Sequence, residues 1–442
     1  MKVAALEARA LFKTATHLPA SFWALVFYFF FEYVRPQTVY PALDVLPFAW
    51  LALAIAAAAA LNEADGTRRW CSVDTTILVY ALVLFASLVF AYDRARGVDM
   101  LNVFLNWMLV YALLAAALHN QNRLLLFLLG WMLWNLKMSL FAVRAWVSIG
   151  FAFRDWGVGG APGWFQNSGE FGIEMCVVMP ISLYFALGLR PHISRMKFLA
   201  LLTMPVTAVV GSIASSSRGA LLGMSVIALW MLARSKYKVR SFVTLIVAGA
   251  IFLAIIPPEQ ISRISSSGSD RTSVTRLTYW RHGIEIAKTH PVLGVGYGSW
   301  VRYYGEHYPP PVQLPHNIFI ECVSELGFSG LIVLILLIAG SFTLNRRTRA
   351  LARRFGSDGH FPTELAWGFD GAMIGFVVSG SFVTVLYYPY LWVNLGFTVA
   401  LHLAVRRSSQ VGAAMRSVPT IRQSSVGFGH ESMTTAQSLR RP

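Results

Sequence analysis

The sequence contains few charged residues for its length. Asp, Glu, Lys and Arg make up 13% of its 442 residues, against roughly 25% in soluble globular domains. Cysteine is also scarce, and Cys71, Cys176 and Cys322 form neither a disulfide framework nor a zinc-binding spacing. The 30 Phe, 16 Tyr and 14 Trp exclude a disordered chain. With a mean hydropathy of +0.56, the composition excludes a water-soluble enzyme and indicates a polytopic membrane protein.

Several sequence signatures of catalysis are missing as well. There is no Asp-x-Asp motif, no Walker motif and no cluster of His, Asp and Glu at metal-ligand spacing. We therefore expect no cofactor, no metal ion and no ATP as substrate. The net charge of +16 would suggest nucleic acid in a soluble protein, but the basic residues form short clusters between apolar runs. No nucleic-acid partner is expected.

Apolar runs long enough to cross a bilayer recur along the chain. A span needs about 20 apolar residues, and this length predicts an all-α fold with about twelve transmembrane helices and one long extracytoplasmic loop. The predicted spans are 19–34, 41–61, 74–92, 101–118, 124–149, 170–188, 197–213, 218–233, 241–256, 317–343, 366–386 and 388–405. Lys137 and Arg144 lie inside the fifth span, and intramembrane charges are functional candidates.

Basic residues are distributed unequally between the two sets of connecting segments. One set holds 24 Lys and Arg, whereas the short connections of the other set hold five, so the positive-inside rule places both termini in the cytoplasm. This sidedness predicts a cytoplasmic N-terminal arm at 1–18, nine helices over 19–256, a periplasmic loop with an amphipathic helix at 257–315, three helices over 316–405 and a disordered basic tail at 406–442.

Three predicted spans begin on the outer side near a charged or ionisable residue, namely Glu170, Arg218 and His316. Helix N-termini attract anions, and the Ser-Ser-Ser-Arg-Gly run at 215–219 adds hydroxyls and a guanidinium that suit phosphate oxygens. Each residue also has a structural alternative. Arg218 can be an arginine that extends from a helix end to the interface, and His316 can be a polar helix cap.

The long loop contains a segment with helical periodicity. Its apolar positions are Leu277, Trp280, Ile284 and Ala287. Its polar positions are Arg276, Arg281, His282, Glu285 and Lys288. This pattern predicts an amphipathic helix at the membrane surface that presents Arg276 or Arg281 to headgroups, although simple interfacial packing gives the same pattern. Farther along, Glu325 is expected to be structural, beside a helix break at Gly327 and Gly330.

Several segments, taken in order, carry a family resemblance. They are FFFEYVRPQ, LDVLP, FLNWMLVYALL, Lys137 with the segment after it, GWFQNSGEFGIEMCVVMP, SSSRGALLG, HPVLGVGYGSW and HNIFIECVSELGFSG. The chain resembles the O-antigen ligase and polysaccharide polymerase superfamily of bacterial inner-membrane glycosyltransferases, and within it the O-glycosylation ligase branch. Two positions depart from the family pattern. NSGE replaces an Asp-Asn-Asn-Glu-like run and keeps Glu170, and Met138 and Ser139 replace a Gly pair.

The resemblance implies a mostly α-helical enzyme of GT-C-related architecture in the inner membrane. Its donor would be a glycan on a polyprenyl diphosphate such as undecaprenyl diphosphate. Its acceptor would be a hydroxyl of the lipid A core of lipopolysaccharide, of a protein or of another glycan. By motif, the essential arginine of the family falls on Arg218, the essential histidine on His316, and a loop arginine on Arg276 or Arg281.

Together these observations predict a metal-independent glycosyl transfer on the periplasmic face. The expected catalytic residues are His316, Arg218 and Glu170, and the expected diphosphate-binding residues are Arg218, Arg276, Arg281 and Lys137. Membrane lipids are expected partners. Two alternatives remain: a polymerase of the same superfamily that extends the lipid-linked glycan, and a lipid-linked glycan flippase or transporter, in which Lys137 and Arg144 would line a path.

Overall fold

The structure is a computed structural model that describes residues 16–63, 70–152, 157–255 and 271–417. In these ranges every regular element is helical. The main helices are α1 (Ala20–Tyr33), α2 (Phe48–Asn62), α3 (Ser72–Val89), α4 (Arg94–Ala117), α5 (Gln121–Ser148), α6 (Ser168–Leu189), α7 (Arg195–Ala214), α8 (Arg218–Arg234), α9 (Lys238–Ile255), α10 (Arg271–Thr289), α11 (Trp300–His307), α12 (Ile318–Ala352), α13 (His360–Gly380) and α14 (Pro389–Ser417). This architecture agrees with a polytopic membrane protein.

Seven helical segments in the described part of the chain are long and apolar enough to cross a membrane. They are Pro41–Asn62, Ser72–Val89, Arg94–Ala117, Gln121–Ser148, Ser168–His192, Arg195–Ala214 and Ile318–Gly380. Each of the twelve predicted ranges overlaps a helix, but twelve spans are not confirmed. The helices α1 and α8 have only 14 and 17 residues, and α12 and α13 fall within one continuous segment.

Helix α6 lies at the centre of the bundle, and nearly all of its side chains are buried. Small residues allow its neighbours to approach closely. A Cβ on Gly172 would lie 2.7 Å from the Cβ of Ala220 in α8, and a Cβ on Gly375 in α13 would lie 2.8 Å from the carbonyl oxygen of Cys176. The first contact brings the N-terminal ends of α6 and α8 together at one end of the bundle, and the second packs α13 against the middle of α6.

Helix α12 is interrupted at Gly327, whose φ of 67° and ψ of −171° are not helical. The glycine-rich segment that precedes α11 packs against this break. The Val295 N–H donates to the carbonyl of Ser324 at 2.9 Å, and the Gly296 N–H donates to the carbonyl of Glu325 at 3.1 Å. A Cβ on Gly327 would lie 2.3 Å from the carbonyl oxygen of Val292. Only glycine fits this position, because both the dihedral angle and the close approach exclude a side chain.

The buried carboxylate of Glu325 forms hydrogen bonds with the same glycine-rich segment. It accepts the Gly298 N–H and the Trp300 N–H, each at 3.1 Å, and the Tyr387 hydroxyl at 2.8 Å. The predicted structural role of Glu325 beside the helix break is therefore confirmed. The glycines at 294, 296 and 298, all with positive φ, allow the backbone to follow this path.

Helix α10 occupies the position of the predicted amphipathic helix, but its two faces are divided differently. Tyr279, Gly283 and Ile286 are buried against the protein. By contrast, Leu277 and Ile284 are 53% and 46% exposed. The four apolar positions of the predicted face thus differ in exposure, since Ala287 is only 1% exposed, and the location of this helix at the membrane surface stays a prediction. Residues 256–270, which include the first part of the predicted loop at 257–315, lie outside the described residues.

Two helix ends differ from the prediction. Helix α13 ends at Gly380, so the predicted span at 366–386 is too long, and 381–388 is a non-helical connection. Helix α14 continues to Ser417, so the tail predicted to be disordered from 406 begins as helix. Residues 1–15 of the N-terminal arm and 418–442 of the tail are not among those described.

Candidate functional site

The N-terminal ends of α6, α8 and α12 meet the connection at 381–388, called here the 381–388 segment. A Cβ on Gly169 in α6 would lie 3.4 Å from the side chain of Val383, and one on Gly219 in α8 would lie 2.9 Å from the Cβ of Phe382. The His316 N–H, just before α12, donates to Thr384 Oγ1 at 2.9 Å. The structure thus brings the starts of three predicted spans to one end of the bundle.

Two arginines and a histidine gather there on three different elements. Arg218, the first residue of α8, donates from Nη1 to Ser273 Oγ on α10 at 3.4 Å. Ser273 is one helical turn before Arg276, so both lie on the same side of α10. The positive charge of Arg276 in turn lowers the pKa of His316. We call Arg218, Arg276 and His316 the cationic cluster.

Hydrogen bonds to the backbone fix the position of His316. Trp280 Nε1 donates to the carbonyl of Pro315 at 2.9 Å, and Trp300 Nε1 donates to the carbonyl of Gln313 at 2.8 Å. His316 itself has a φ of 50°, a left-handed conformation that costs about 1–3 kcal/mol outside glycine. Such a conformation persists only where surrounding contacts enforce it, as the two indole groups and Thr384 do here.

The environment of His316 favours its neutral form. Burial, followed by the nearby charge of Arg276, lowers the pKa of His316 to about 4. The imidazole is therefore uncharged at neutral pH, with one nitrogen able to donate and the other able to accept a hydrogen bond. A neutral imidazole near the guanidinium group of Arg276 can orient a hydroxyl group next to an anion.

The serines before Arg218 mainly complete the helix end. The Ser215 hydroxyl donates to the carbonyl of Ser212 at 2.7 Å and accepts the Ser217 N–H at 3.3 Å. Ser217 is the N-cap of α8, and its hydroxyl accepts the Ala220 N–H at 3.3 Å. Ser215 thus uses its hydroxyl both as donor and as acceptor within the protein, whereas the Ser217 hydroxyl is used as an acceptor. The expectation that the serine run supplies phosphate ligands therefore has no support from Ser215.

Glu170 lies in a second group of side chains, which includes Tyr388 at the end of the 381–388 segment. Its carboxylate accepts the Tyr388 hydroxyl at 2.8 Å and, in a capping box, the Asn167 N–H at 3.4 Å. The ring of Tyr388 meets that of Trp164 edge to face at 5.1 Å. Trp164 Nε1 donates to Glu32 at 2.9 Å. We call Glu170, Tyr388, Trp164 and Glu32 the carboxylate–aromatic cluster.

Two predicted diphosphate ligands do not join the cationic cluster. Lys137 is exposed on α5, while the next two residues face inward: Met138 Sδ accepts the Ala161 N–H at 3.3 Å, and the Ser139 hydroxyl donates to Thr207 Oγ1 at 2.9 Å. Arg281 is exposed on α10. Among the described residues, no contact connects either cation to the cluster. Of the two loop arginines that the sequence left open, the structure favours Arg276.

Thr384 and Tyr388 were missed by sequence reasoning. Both lie in a stretch that had been assigned to membrane spans because of its hydropathy. The one available signal was the pair of tyrosines directly before Pro389, since a proline favours a new helix start and buried tyrosine hydroxyls need partners. In the structure Tyr387 and Tyr388 find those partners in Glu325 and Glu170.

Comparison with known proteins agrees with the resemblance seen in the sequence. Residues 194–335 match the family model described as O-Antigen ligase, a range that contains all three residues of the cationic cluster. Over 96 residues the chain is 33% identical to the Exopolysaccharide production protein ExoQ of Rhizobium meliloti (strain 1021). That alignment covers 18% of this chain and 20% of the relative, so the chain spans about a fifth of the relative's length. Both matches support the O-antigen ligase and polymerase superfamily.

Proposed function

We propose that this O-antigen ligase/polymerase-family membrane protein is an inner-membrane glycosyltransferase of GT-C-related architecture. It moves a glycan from a polyprenyl diphosphate to an acceptor hydroxyl at the periplasmic face, as an O-antigen ligase or O-glycosylation ligase does. The observation that carries the proposal is the convergence of Arg218, Arg276 and His316 at one end of the bundle. All three lie within the range matched by the family.

The cationic cluster suits a reaction in which a diphosphate leaves. The bond between the anomeric carbon and the diphosphate oxygen breaks, the acceptor oxygen bonds to that carbon, and polyprenyl diphosphate departs with the electron pair. Guanidinium groups form strong, often paired hydrogen bonds with phosphate oxygens, and cations fixed in advance stabilise charge as it develops. Arg218 and Arg276 hold the diphosphate in this proposal, with the N-terminus of α8 beside them.

His316 receives the proton of the acceptor hydroxyl. A group whose pKa is about 4 is a weak base in the free protein, but bound diphosphate places negative charge beside it. That charge favours the imidazolium and opposes the effect of Arg276, so the pKa of His316 rises when the donor binds. The histidine then becomes an effective base in the complex that reacts. Glu170 acts on the sugar or acceptor side and holds the 381–388 segment through Tyr388.

A transfer assay with purified protein in detergent tests the proposal. With a synthetic lipid-linked glycan as donor, wild-type protein should form product. His316→Ala should slow transfer by about 10²–10⁴-fold, the range of general base catalysis. His282→Ala, on α10, is the matched control and should keep most of the activity. Product formation without compartments also excludes a flippase as the only function, whereas wild-type rates in His316→Ala would remove the assigned role.

The proposal includes no metal ion, because guanidinium groups balance the diphosphate charge. In the described residues, no group of three or more His, Cys, Asp and Glu could hold a metal ion. We expect the transfer rate to be unchanged by excess EDTA and by added Mg²⁺ or Mn²⁺. A rate that falls with EDTA and recovers with one of these ions would contradict this part of the proposal.

A polymerase is the second candidate, and the similarity to an exopolysaccharide production protein favours it. Ligase and polymerase share the bond changes described above and differ in the acceptor. A deletion strain distinguishes them. Accumulation of single lipid-linked repeat units indicates a polymerase, whereas long chains that remain on the carrier indicate a ligase.

A further inference from the structure

A cavity of about 480 Å³ lies between the C-terminal part of α12 and the helix α14. Its polar lining residues are Arg347, Arg354, His402, Arg406, Ser409 and Gln410, and the other two are Ala and Leu. Along the chain, Arg347 is 31 residues from His316, which corresponds to about 45 Å at the rise of about 1.5 Å per helical residue. The cavity is therefore separate from the proposed transfer site.

Helix geometry explains why these side chains face one another. Arg347 and Arg354 are seven residues apart at the end of α12 and in the turn that follows, and this spacing returns to the same helix face. His402, Arg406 and Ser409 repeat the arrangement on α14, at intervals of four and three residues. Two helix faces that each carry cations thus border the same cavity.

His402 forms the floor of the cavity and joins the two helices. It is only 8% exposed, and its Nδ1 lies 3.0 Å from Thr348 Oγ1 on α12. The Thr348 hydroxyl donates to the carbonyl of Leu344 at 2.9 Å, so the hydrogen in the contact with His402 belongs to the imidazole. The other ring nitrogen of the neutral imidazole, Nε2, is then an acceptor, so the donors for an anion in the cavity come from the arginines.

The charges around the cavity all have the same sign. None of the eight lining residues is acidic, and Arg347 and Arg406 are both close enough to act electrostatically on His402. None of the three arginines forms an ion pair with another described residue. Like charges that share a cavity are stabilised by a bound anion, and arginine binds phosphate oxygens with strong hydrogen bonds.

We propose that this cavity, called here the α12–α14 cavity, binds a phosphate group. The positive-inside rule predicts that it lies at the cytoplasmic boundary of the membrane, where basic pockets between helices receive anionic lipid headgroups. A lipid headgroup and free phosphate offer the same chemistry to these arginines. Further hydrogen bonds to phosphate or glycerol oxygens come from the lining residues Ser409 and Gln410.

The test uses the full chain, purified in detergent and freed of lipid. One arm measures binding of phosphatidylglycerol and of phosphatidylcholine by native mass spectrometry, and the other measures the unfolding temperature with inorganic phosphate. The variants are Arg347→Gln, Arg354→Gln, Arg406→Gln and the triple combination. Arg346→Gln is the matched control, because it removes a neighbouring exposed arginine that does not line the cavity.

Phosphatidylglycerol should bind more tightly than phosphatidylcholine, and each arginine removed should weaken its binding about fivefold, while Arg346→Gln leaves it unchanged. Inorganic phosphate could instead raise the unfolding temperature of the wild type but not of the cavity variants. That result would confirm the site and identify free phosphate as the ligand. Equal loss in Arg346→Gln, or no response to either ligand, overturns the proposal. If the triple variant does not fold, the single variants at the exposed Arg347 and Arg354 decide the question.

Discussion

The cationic cluster and the carboxylate–aromatic cluster border the same 381–388 segment but differ in their electrostatics. In the carboxylate–aromatic cluster, each carboxylate has donors: Glu170 accepts from Tyr388, and Glu32 accepts from Trp164 and Arg35. In the cationic cluster, Arg276 lowers the pKa of its neighbour His316. The carboxylate–aromatic cluster has donors for its carboxylates within the protein and holds the segment in place. The cationic cluster brings positive charge together and is suited to a bound anion.

The largest expected effect tests the cationic cluster directly. Arg218→Ala should reduce the transfer rate by about 10²–10³-fold, the typical cost of removing one group that stabilises developing charge. Arg281→Ala, an exposed arginine on α10, is the control and should stay within a few-fold of wild type. Equal loss in both variants would mean that general surface charge, and not the cluster, supports the reaction.

The pH dependence of transfer provides a sharper test of the same cluster. If the reaction requires neutral His316, kcat/KM falls only as the pH drops through about 4. Arg276→Gln removes one of the two causes that lower this pKa, so the acid limb should move upward, toward 6.5 but not to it, because burial remains. Arg281→Gln should leave the limb in place.

An unchanged pH profile in Arg276→Gln would show that Arg276 does not influence the pKa of His316. Measurement of kcat/KM from pH 3.5 to 8, together with a check that the variant remains folded at each pH, would show this. A profile whose acid limb already lies near 6.5 in the wild type would contradict the buried position of His316.

The smallest effect is expected in the carboxylate–aromatic cluster. Tyr388→Phe removes the hydroxyl that donates to Glu170 and keeps the ring beside Trp164. We expect a loss of about 1 kcal/mol in stability and a change in the acceptor KM with little change in kcat. Thermal unfolding and acceptor titration measure these quantities. A loss of kcat as large as that of Arg218→Ala would show that the two clusters do not divide their roles in this way.

Hydropathy and motifs predicted much of the fold but not the segment that organises the site. Arg218 and His316 were found because each stands at the start of an apolar run. Thr384 and Tyr388 were hidden because 381–388 is itself largely apolar, and hydropathy does not distinguish a buried connection from a membrane span. Their partners, His316 and Glu170, are far away in sequence, so no local spacing connects them.

The sequence also did not predict which face of a helix contacts protein and which contacts lipid. An apolar position such as Leu277 or Ile286 can face lipid or protein, and both environments favour the same residue types. Lys137 shows the same limit for charge. Its place within a span suggested a role in binding, but composition does not say which way a side chain points, and the structure leaves it exposed on α5.

The interruption at Gly327 has a mechanical consequence. The 291–296 stretch of the loop is hydrogen-bonded to α12 on both sides of this break. Its N–H groups donate to the carbonyls of Ser324 and Glu325 before Gly327, and the Pro291 carbonyl accepts the Phe328 N–H after it. The loop therefore satisfies backbone groups that an unbroken helix would satisfy by itself, and any displacement of the loop is coupled to both parts of α12.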